Sequence, residues 1–181
     1  MLARGVLACA CLAVAVRGYQ SQVPRRRFLS SAALAIGGSR AATALDDKLV
    51  GISAEKIAEM VKRDVVENQF LTNGRLTRSI YSEDAKFTDE IDTYKLDQWM
   101  KGTQKLFIGD ESHVELVGPV VATKDTVEFR FDEVLAFNIP LHPKVKLTGK
   151  VVLKRQADGL ISSYQEFWDQ SVKEVLLTAK I

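Results

Sequence analysis

Past residue 44 the sequence has no cysteine; Cys9 and Cys11 both precede that point. The segment from Leu45 onward therefore offers no disulfide, no thiolate nucleophile and no Cys-ligated metal. Histidine is scarce as well. His113 and His142 are the two, far apart and without an H-E-x-x-H pattern, so no metal centre is expected. No glycine-rich phosphate loop and no G-x-S-x-G occur, and no cofactor is expected. The first 44 residues lack Asp and Glu altogether, while Arg4, Arg17, Arg25, Arg26, Arg27 and Arg40 fall there. The remainder carries 19 basic and 23 acidic residues, a net charge of −4. That balance argues against nucleic acid as a partner. There is no internal repeat and no low-complexity tract.

What is present begins with a leader in two parts. Val6 to Val16 is an apolar run of 11 residues behind Arg4. It fits a signal-peptide core and is too short to span a bilayer. Residues 1–24 form this first part. Residues 25–44 resemble a twin-arginine signal: Arg25-Arg26, one further residue, Phe28-Leu29, a mild apolar run from Ser30 to Gly38, and Ala42-Thr43-Ala44 as an A-x-A cleavage site. Two apolar segments, each with a basic flank, imply two successive membrane crossings. The leader resembles the compound presequences of algae with complex plastids, where a transit peptide precedes a thylakoid-lumen signal. The expectation is a plastid (chloroplast) protein of the thylakoid lumen. The alternative is one long secretory signal and a secreted or periplasmic protein.

Residues 45–181 read as one domain. Ser53 suits a helix N-cap, with Glu55 in the first turn. Ile57, Met60, Val61 and Val65 repeat at helical spacing, Phe70 and Leu71 extend that apolar face, and Asn73-Gly74 ends it. Leu76 and Ile80 suggest a short second helix, and Asp84 to Asp89 a short strand. Leu96, Trp99, Met100, Thr103 and Phe107 mark a third helix, closed at Gly109-Asp110. From His113 the period becomes two. Val127, Phe129 and Phe131 alternate with polar residues, as do Val145, Leu147, Gly149, Val151 and Leu153. Gly118-Pro119 suggests a bulge, residues 138–143 a loop, and Asp158-Gly159 a hairpin turn before a strand from Ile161 to Asp169. Helices followed by a run of strands predict an α+β fold, with one strongly curved antiparallel sheet around the N-terminal helices.

The stretch Tyr81-Ser82-Glu83-Asp84-Ala85-Lys86-Phe87-Thr88-Asp89 resembles the Y-x-x-D-A-x-F-x-D segment of the nuclear transport factor 2-like superfamily, in its SnoaL-like branch. Gly149, Asp158-Gly159-Leu160-Ile161 and Trp168-Asp169 resemble the closing hairpin of that family. The family's usual proline after the Asp89 position is absent; Glu90-Ile91 stand there. The resemblance implies a cone-shaped cystatin-like α+β barrel with an interior cavity and, often, a homodimer. It also implies one of many functions, from isomerases, cyclases and hydrolases to ligand-binding modules.

A carboxylate in an apolar cavity can serve as acid or base. The candidates are Asp89, His113, Arg130, Tyr164, Glu166 and Asp169. Alternation points Phe129, Phe131 and Phe137 inward and Arg130 outward. On the last strand Phe167 and Asp169 share one face, and Tyr164, Glu166 and Trp168 the other. Asp169, taken as inward at a strand end where the resemblance places a carboxylate, is the expected catalytic residue, with Tyr164 or His113 assisting. Tyr81, Trp99, Phe129, Phe131, Phe137 and Phe167 are the expected cavity lining. Lys144, Lys146, Lys150, Lys154 and Arg155 suggest a basic strand face. Two functions remain open. One is a soluble lumenal module that binds a small apolar ligand or docks on a thylakoid complex, with the mature domain not spanning a membrane. The other is a cofactor-free isomerase, cyclase or hydrolase. A wholly apolar cavity favours the first; a carboxylate hydrogen-bonded to Tyr or His at its base favours the second.

Overall fold

The computed structural model describes residues 47–180. The leader assignments, including Arg25, Arg26, Phe28, Leu29, Ala42 and Ala44, lie outside the described residues. The elements are α1 (Ala54–Val66), α2 (Phe70–Asn73), β1 (Tyr81–Thr88), β2 (Thr93–Lys95), α3 (Leu96–Leu106), β3 (His113–Ala122), β4 (Thr126–Ala136), β5 (Lys144–Arg155), β6 (Ile161–Trp168) and α4 (Val172–Leu177). Short 3₁₀ turns at Arg78–Ile80 and Gly109–Glu111 precede β1 and β3. The first of these takes the place of the short helix expected around Leu76 and Ile80. Among the described residues no helix is long and apolar enough to cross a membrane.

The six strands form one sheet in the order β2-β1-β6-β5-β4-β3. The α+β class is as expected, with one correction. β1 and β6 run parallel, so the sheet is mixed rather than antiparallel. The reason is topological: β1 and β6 are joined through α3 and the whole β3–β5 meander, a crossover long enough to bring the chain back in the same direction. Register breaks interrupt β1–β6, β3–β4 and β5–β6. The β3 break falls at Gly118-Pro119, where Gly118 has φ +77°. Such breaks bend a sheet, here around the helices on its inner face.

α1 is built as its sequence prescribes. The Ser53 side chain accepts a hydrogen bond from the Lys56 N–H at 3.2 Å. Ile57, Met60, Val61 and Val65 form its buried stripe. Asp64 lies on the same stripe, fully buried. Its carboxylate accepts from the Thr77 N–H (2.8 Å), the Thr77 hydroxyl (2.7 Å) and Asn68 Nδ2 (2.8 Å). This fastens α1 to the turn that enters β1.

α1 ends at Val66, and α2 starts behind Gln69, a non-glycine residue in the left-handed region at φ 53°. Gln69 Oε1 accepts from the Val114 N–H at 2.7 Å, and Nε2 donates to the Val114 carbonyl at 3.0 Å. Nε2 also donates to the carbonyls of Val65 and Val66. One side-chain amide thus caps α1 and pairs with edge strand β3 as a backbone peptide would. α2 ends at Gly74, φ +68°, where a Cβ would fall 2.4 Å from the Met100 carbonyl oxygen. Only glycine meets both demands.

β6 ends at Trp168, opposite Gly149, and so leaves β5 from Lys144 to Thr148 without a strand partner on that side. The C-terminal segment supplies the missing bonds. Asp169 N–H donates to the Thr148 carbonyl, Gln170 Oε1 accepts from the Thr148 N–H, and Thr178 Oγ1 accepts from the Lys146 N–H. Lys180 and Lys144 exchange both backbone bonds. Between them α4 starts with a capping box, Ser171 with Glu174, and buries Val175.

Candidate functional site: Glu133 and Glu166

The inner face of β4 carries Val127, Phe129, Phe131, Glu133 and Leu135, all buried. Glu133 occupies a place in this alternation that apolar residues fill elsewhere. It is 6% exposed, and its Oε2 has no hydrogen-bond partner. Burial pushes its pKa well above the ordinary glutamate range, and the charge of Glu166 pushes it further. A buried, unpaired carboxylate is among the costliest groups a fold can carry, so burial favours the neutral form of this one.

Glu166 lies on the inner face of β6, flanked by Tyr164 and Trp168 on the same face two residues to either side. The Tyr164 hydroxyl donates to Glu166 Oε2, and Trp168 Nε1 donates to Glu166 Oε1 at 2.5 Å. Burial raises the Glu166 pKa to about 7 despite these two donors, with Asp89 and Glu90 adding to the rise. The phenol of Tyr164, fully buried, is pushed up by burial and then by the Glu166 charge, so it remains a donor. The negative charge of Glu166 adds to the rise at Glu133, so ionisation of one disfavours ionisation of the other. A carboxyl group poised near 7 is suited to moving protons.

Asp89 stands nearby at the end of β1. Its Oδ1 accepts from the N–H groups of Ile91 and Asp92, both at 2.8 Å, as turn chemistry prescribes. Burial raises its pKa. The remaining candidates are elsewhere. His113 is exposed and sits opposite Val134. His142 is exposed in the β4–β5 loop, with Nδ1 3.9 Å from Glu111 Oε1.

Asp169 and Phe167 are corrections. The alternation along β6 is as read from the sequence, but its inward and outward sides are exchanged. Register decides this: Tyr164 stands opposite Leu153 and Glu166 opposite Val151, both inward, while Phe167 stands opposite Lys150. Asp169 is exposed on the outer surface, where Oδ2 accepts from Arg130 Nη2 at 2.5 Å and from the Thr148 hydroxyl at 2.7 Å. Phe167 is 40% exposed, with Lys150 Nζ 5.7 Å from its ring centroid.

The other expected lining residues are buried, and several pack directly on one another. Phe87 stacks with Trp99 at 4.7 Å and with Tyr164 at 4.9 Å, Tyr81 lies 5.6 Å from Phe87, and Phe70 meets Trp99, Phe129 and Tyr164. Phe137 pairs with Phe107 at 5.2 Å. This ring cluster is part of the core, and Tyr164 packs within it. The basic run is also dispersed. Lys144 pairs with Glu111 at 2.8 Å, Lys150 reaches Glu128 at 3.9 Å, and Arg155 donates to the carbonyls of Ile52, Thr123 and Gly159.

Sequence reasoning named Tyr164 and Glu166 but passed over Glu133. The signal was available: the parity of Val127, Phe129 and Phe131 extends to residue 133.

No protein-family model matches the sequence, and no curated protein matches it. Among solved structures the chain is similar to AclR from Streptomyces galilaeus, at 16% identity and a TM-score of 0.48, over 65% of this chain and 91% of that one. A nuclear transport factor 2-like protein from Anabaena variabilis matches at 17% identity and a TM-score of 0.47, over 65% and 90%. A third similar structure is a nuclear transport factor 2-like protein from Exiguobacterium, at 18% identity and a TM-score of 0.40, over 51% of this chain and 80% of that one.

Proposed function

We propose that the domain is a cofactor-free enzyme that transfers protons on a small, largely apolar molecule, in an isomerisation, cyclisation or hydrolysis. Glu166 is the base and Glu133 the acid. The observation that carries this reading is the buried Glu133 oxygen without a partner, on the same inner sheet face as a second carboxyl group that Tyr164 and Trp168 hold in place. Tyr164 is a positioning residue: it fixes the Glu166 carboxylate and stays protonated. A module that only binds an apolar ligand gains nothing from a buried carboxyl group with an unpartnered oxygen at Glu133, which costs stability. The test is solvent-deuterium incorporation into a panel of small enolisable carbonyl compounds, followed by mass spectrometry. Exchange that Glu166→Gln lowers by roughly 10²-fold or more supports the reading. Exchange unchanged in both Glu166→Gln and Glu133→Gln overturns it.

We also propose that the domain works in the thylakoid lumen after cleavage behind Ala44. The acid-free leader with Arg25-Arg26 and Ala42-Thr43-Ala44 supports this. Amino-terminal sequencing of the mature protein tests it, and a start far from Leu45 overturns it.

A further inference from the structure

The outer face of the sheet carries a row of lysines drawn from three strands. Register sets Lys154 of β5 opposite Ser163 of β6, Ser163 beside Lys86 of β1, and Lys86 opposite Lys95 of β2. These side chains point away from the core, because the adjacent residues Leu153, Tyr164 and Phe87 form the buried inner row. With strands about 4.8 Å apart, the row is about 14 Å long. Lys86, Lys95 and Lys154 are exposed, and Ser163 is half-buried. Lysine ion pairs among the described residues involve Lys48, Lys56, Lys101, Lys124, Lys144 and Lys150, and none of these three. Like charges directly opposite one another, as at Lys86 and Lys95, cost stability. No ion pair among the described residues offsets that cost, although the sequence past residue 44 has a net charge of −4.

We infer that this row is a docking surface for an acidic polypeptide segment, laid in extended form across β5, β6, β1 and β2. An extended chain repeats one face every second residue, so carboxylates at three alternate positions span about 14 Å, the length of the row. Their charges complement the ammonium groups of Lys154, Lys86 and Lys95, and the repulsion between Lys86 and Lys95 is relieved in the complex. Ser163, in line between Lys154 and Lys86, adds a hydroxyl donor. The rest of the face selects a narrow partner over a broad one. Glu115 and Asp132 stand opposite each other on β3 and β4, and Glu128 lies on the same outer side of β4. A flat anionic surface such as a bilayer meets these carboxylates together with the lysines and is repelled by them. A single acidic strand lying on the row avoids them. The row is on the opposite face of the sheet from Glu133 and Glu166, so the inference stands independently of the catalytic reading.

The experiment titrates hexaglutamate into the nitrogen-15-labelled full chain at low salt and follows the backbone amide of Ser163 by nuclear magnetic resonance. The expected result is a saturable shift that weakens as salt is raised and is absent with hexaglutamine. Replacing the row together, Lys86→Gln, Lys95→Gln and Lys154→Gln, should weaken binding about tenfold or more. Lys56→Gln, Lys101→Gln and Lys124→Gln together remove the same charge elsewhere and should leave the affinity within about twofold. The row variant should melt no lower than the parent protein, because its like-charge pair is gone, and a lower melting temperature counts against the inference. No saturable shift at millimolar hexaglutamate overturns it, as does an equal loss of binding in the two variants. A Ser163 response to vesicles of phosphatidylglycerol and phosphatidylcholine, with none to hexaglutamate, makes a membrane the partner and overturns it. Ser163 shifts that follow protein concentration alone do the same, since the row then meets a second copy of the chain.

Discussion

The Tyr164 hydroxyl donates to the Glu166 carboxylate across one face of β6, two residues away in sequence. Strand geometry makes this pairing possible, because residues i and i+2 share a face. The stacked rings of Phe87 and Trp99 then fix the phenol. Removing the hydroxyl in Tyr164→Phe deletes a hydrogen bond that lowers the Glu166 pKa. The expected outcome is a Glu166 pKa higher than in the parent protein. Carbon-13 resonance of the glutamate carboxyls measures it, and an unchanged or lower value counts against the assignment.

The carboxyl pair ties stability to pH. For both Glu133 and Glu166 the folded-state pKa lies above the ordinary value of 4.5, reaching about 7 for Glu166. The folded state therefore holds more protons than the unfolded state across that window, and stability falls as pH rises through it. Glu83, drawn down to about 2 by Arg78 and Lys48, contributes fully above that window's lower edge and does not offset the fall. Denaturant melts at about pH 5 and about pH 8 should show a loss on the order of 1–3 kcal/mol. Glu166→Gln should flatten the profile. A profile that rises with pH would contradict the burial of the pair.

Asp64 is buried in a different way, because both its carboxylate oxygens accept hydrogen bonds, from Thr77 and Asn68. Asp64→Ala leaves the half-buried Thr77 N–H without its acceptor and frees α1 from the turn entering β1. The expected cost is about 3 kcal/mol in equilibrium unfolding. Asp64→Asn keeps the acceptor oxygen and should lose less.

Gln69 joins α1 to β3 through Val114. Gln69→Ala removes both bonds to Val114 and keeps the strain of the left-handed backbone. It should cost about 2 kcal/mol and raise amide exchange at Val114 by more than tenfold. Gln69→Gly removes the same bonds but relieves the backbone, so it should be the milder change.

The sequence made α1, α3 and the β4–β5–β6 meander legible because each has a clean period and recognisable ends, such as Ser53, Gly74 and Asp158-Gly159. β1 was read three residues short, since Tyr81 and Ser82 follow a 3₁₀ turn whose pattern runs into the strand. The parallel β1–β6 pairing had no local signal, because its partners meet only after the meander closes. At the site, alternation sorted β6 into its two faces correctly but did not say which was inner. That depends on pairing Tyr164 with Leu153 and Glu166 with Val151, a cross-strand fact. Glu133 was hidden by its chemistry: a charged residue in an apolar alternation reads as a strand end, whereas here it lies buried within the strand.

The most direct test of the carboxyl pair is a carbon-13 titration of the glutamate side chains in the parent protein, Glu133→Gln and Glu166→Gln. The account predicts one carboxyl group still protonated at neutral pH and a second titrating near 7, with the Glu133 pKa falling when Glu166 is replaced. Both groups ionised throughout the range above the ordinary glutamate pKa, with neither variant altering the other residue, would contradict it.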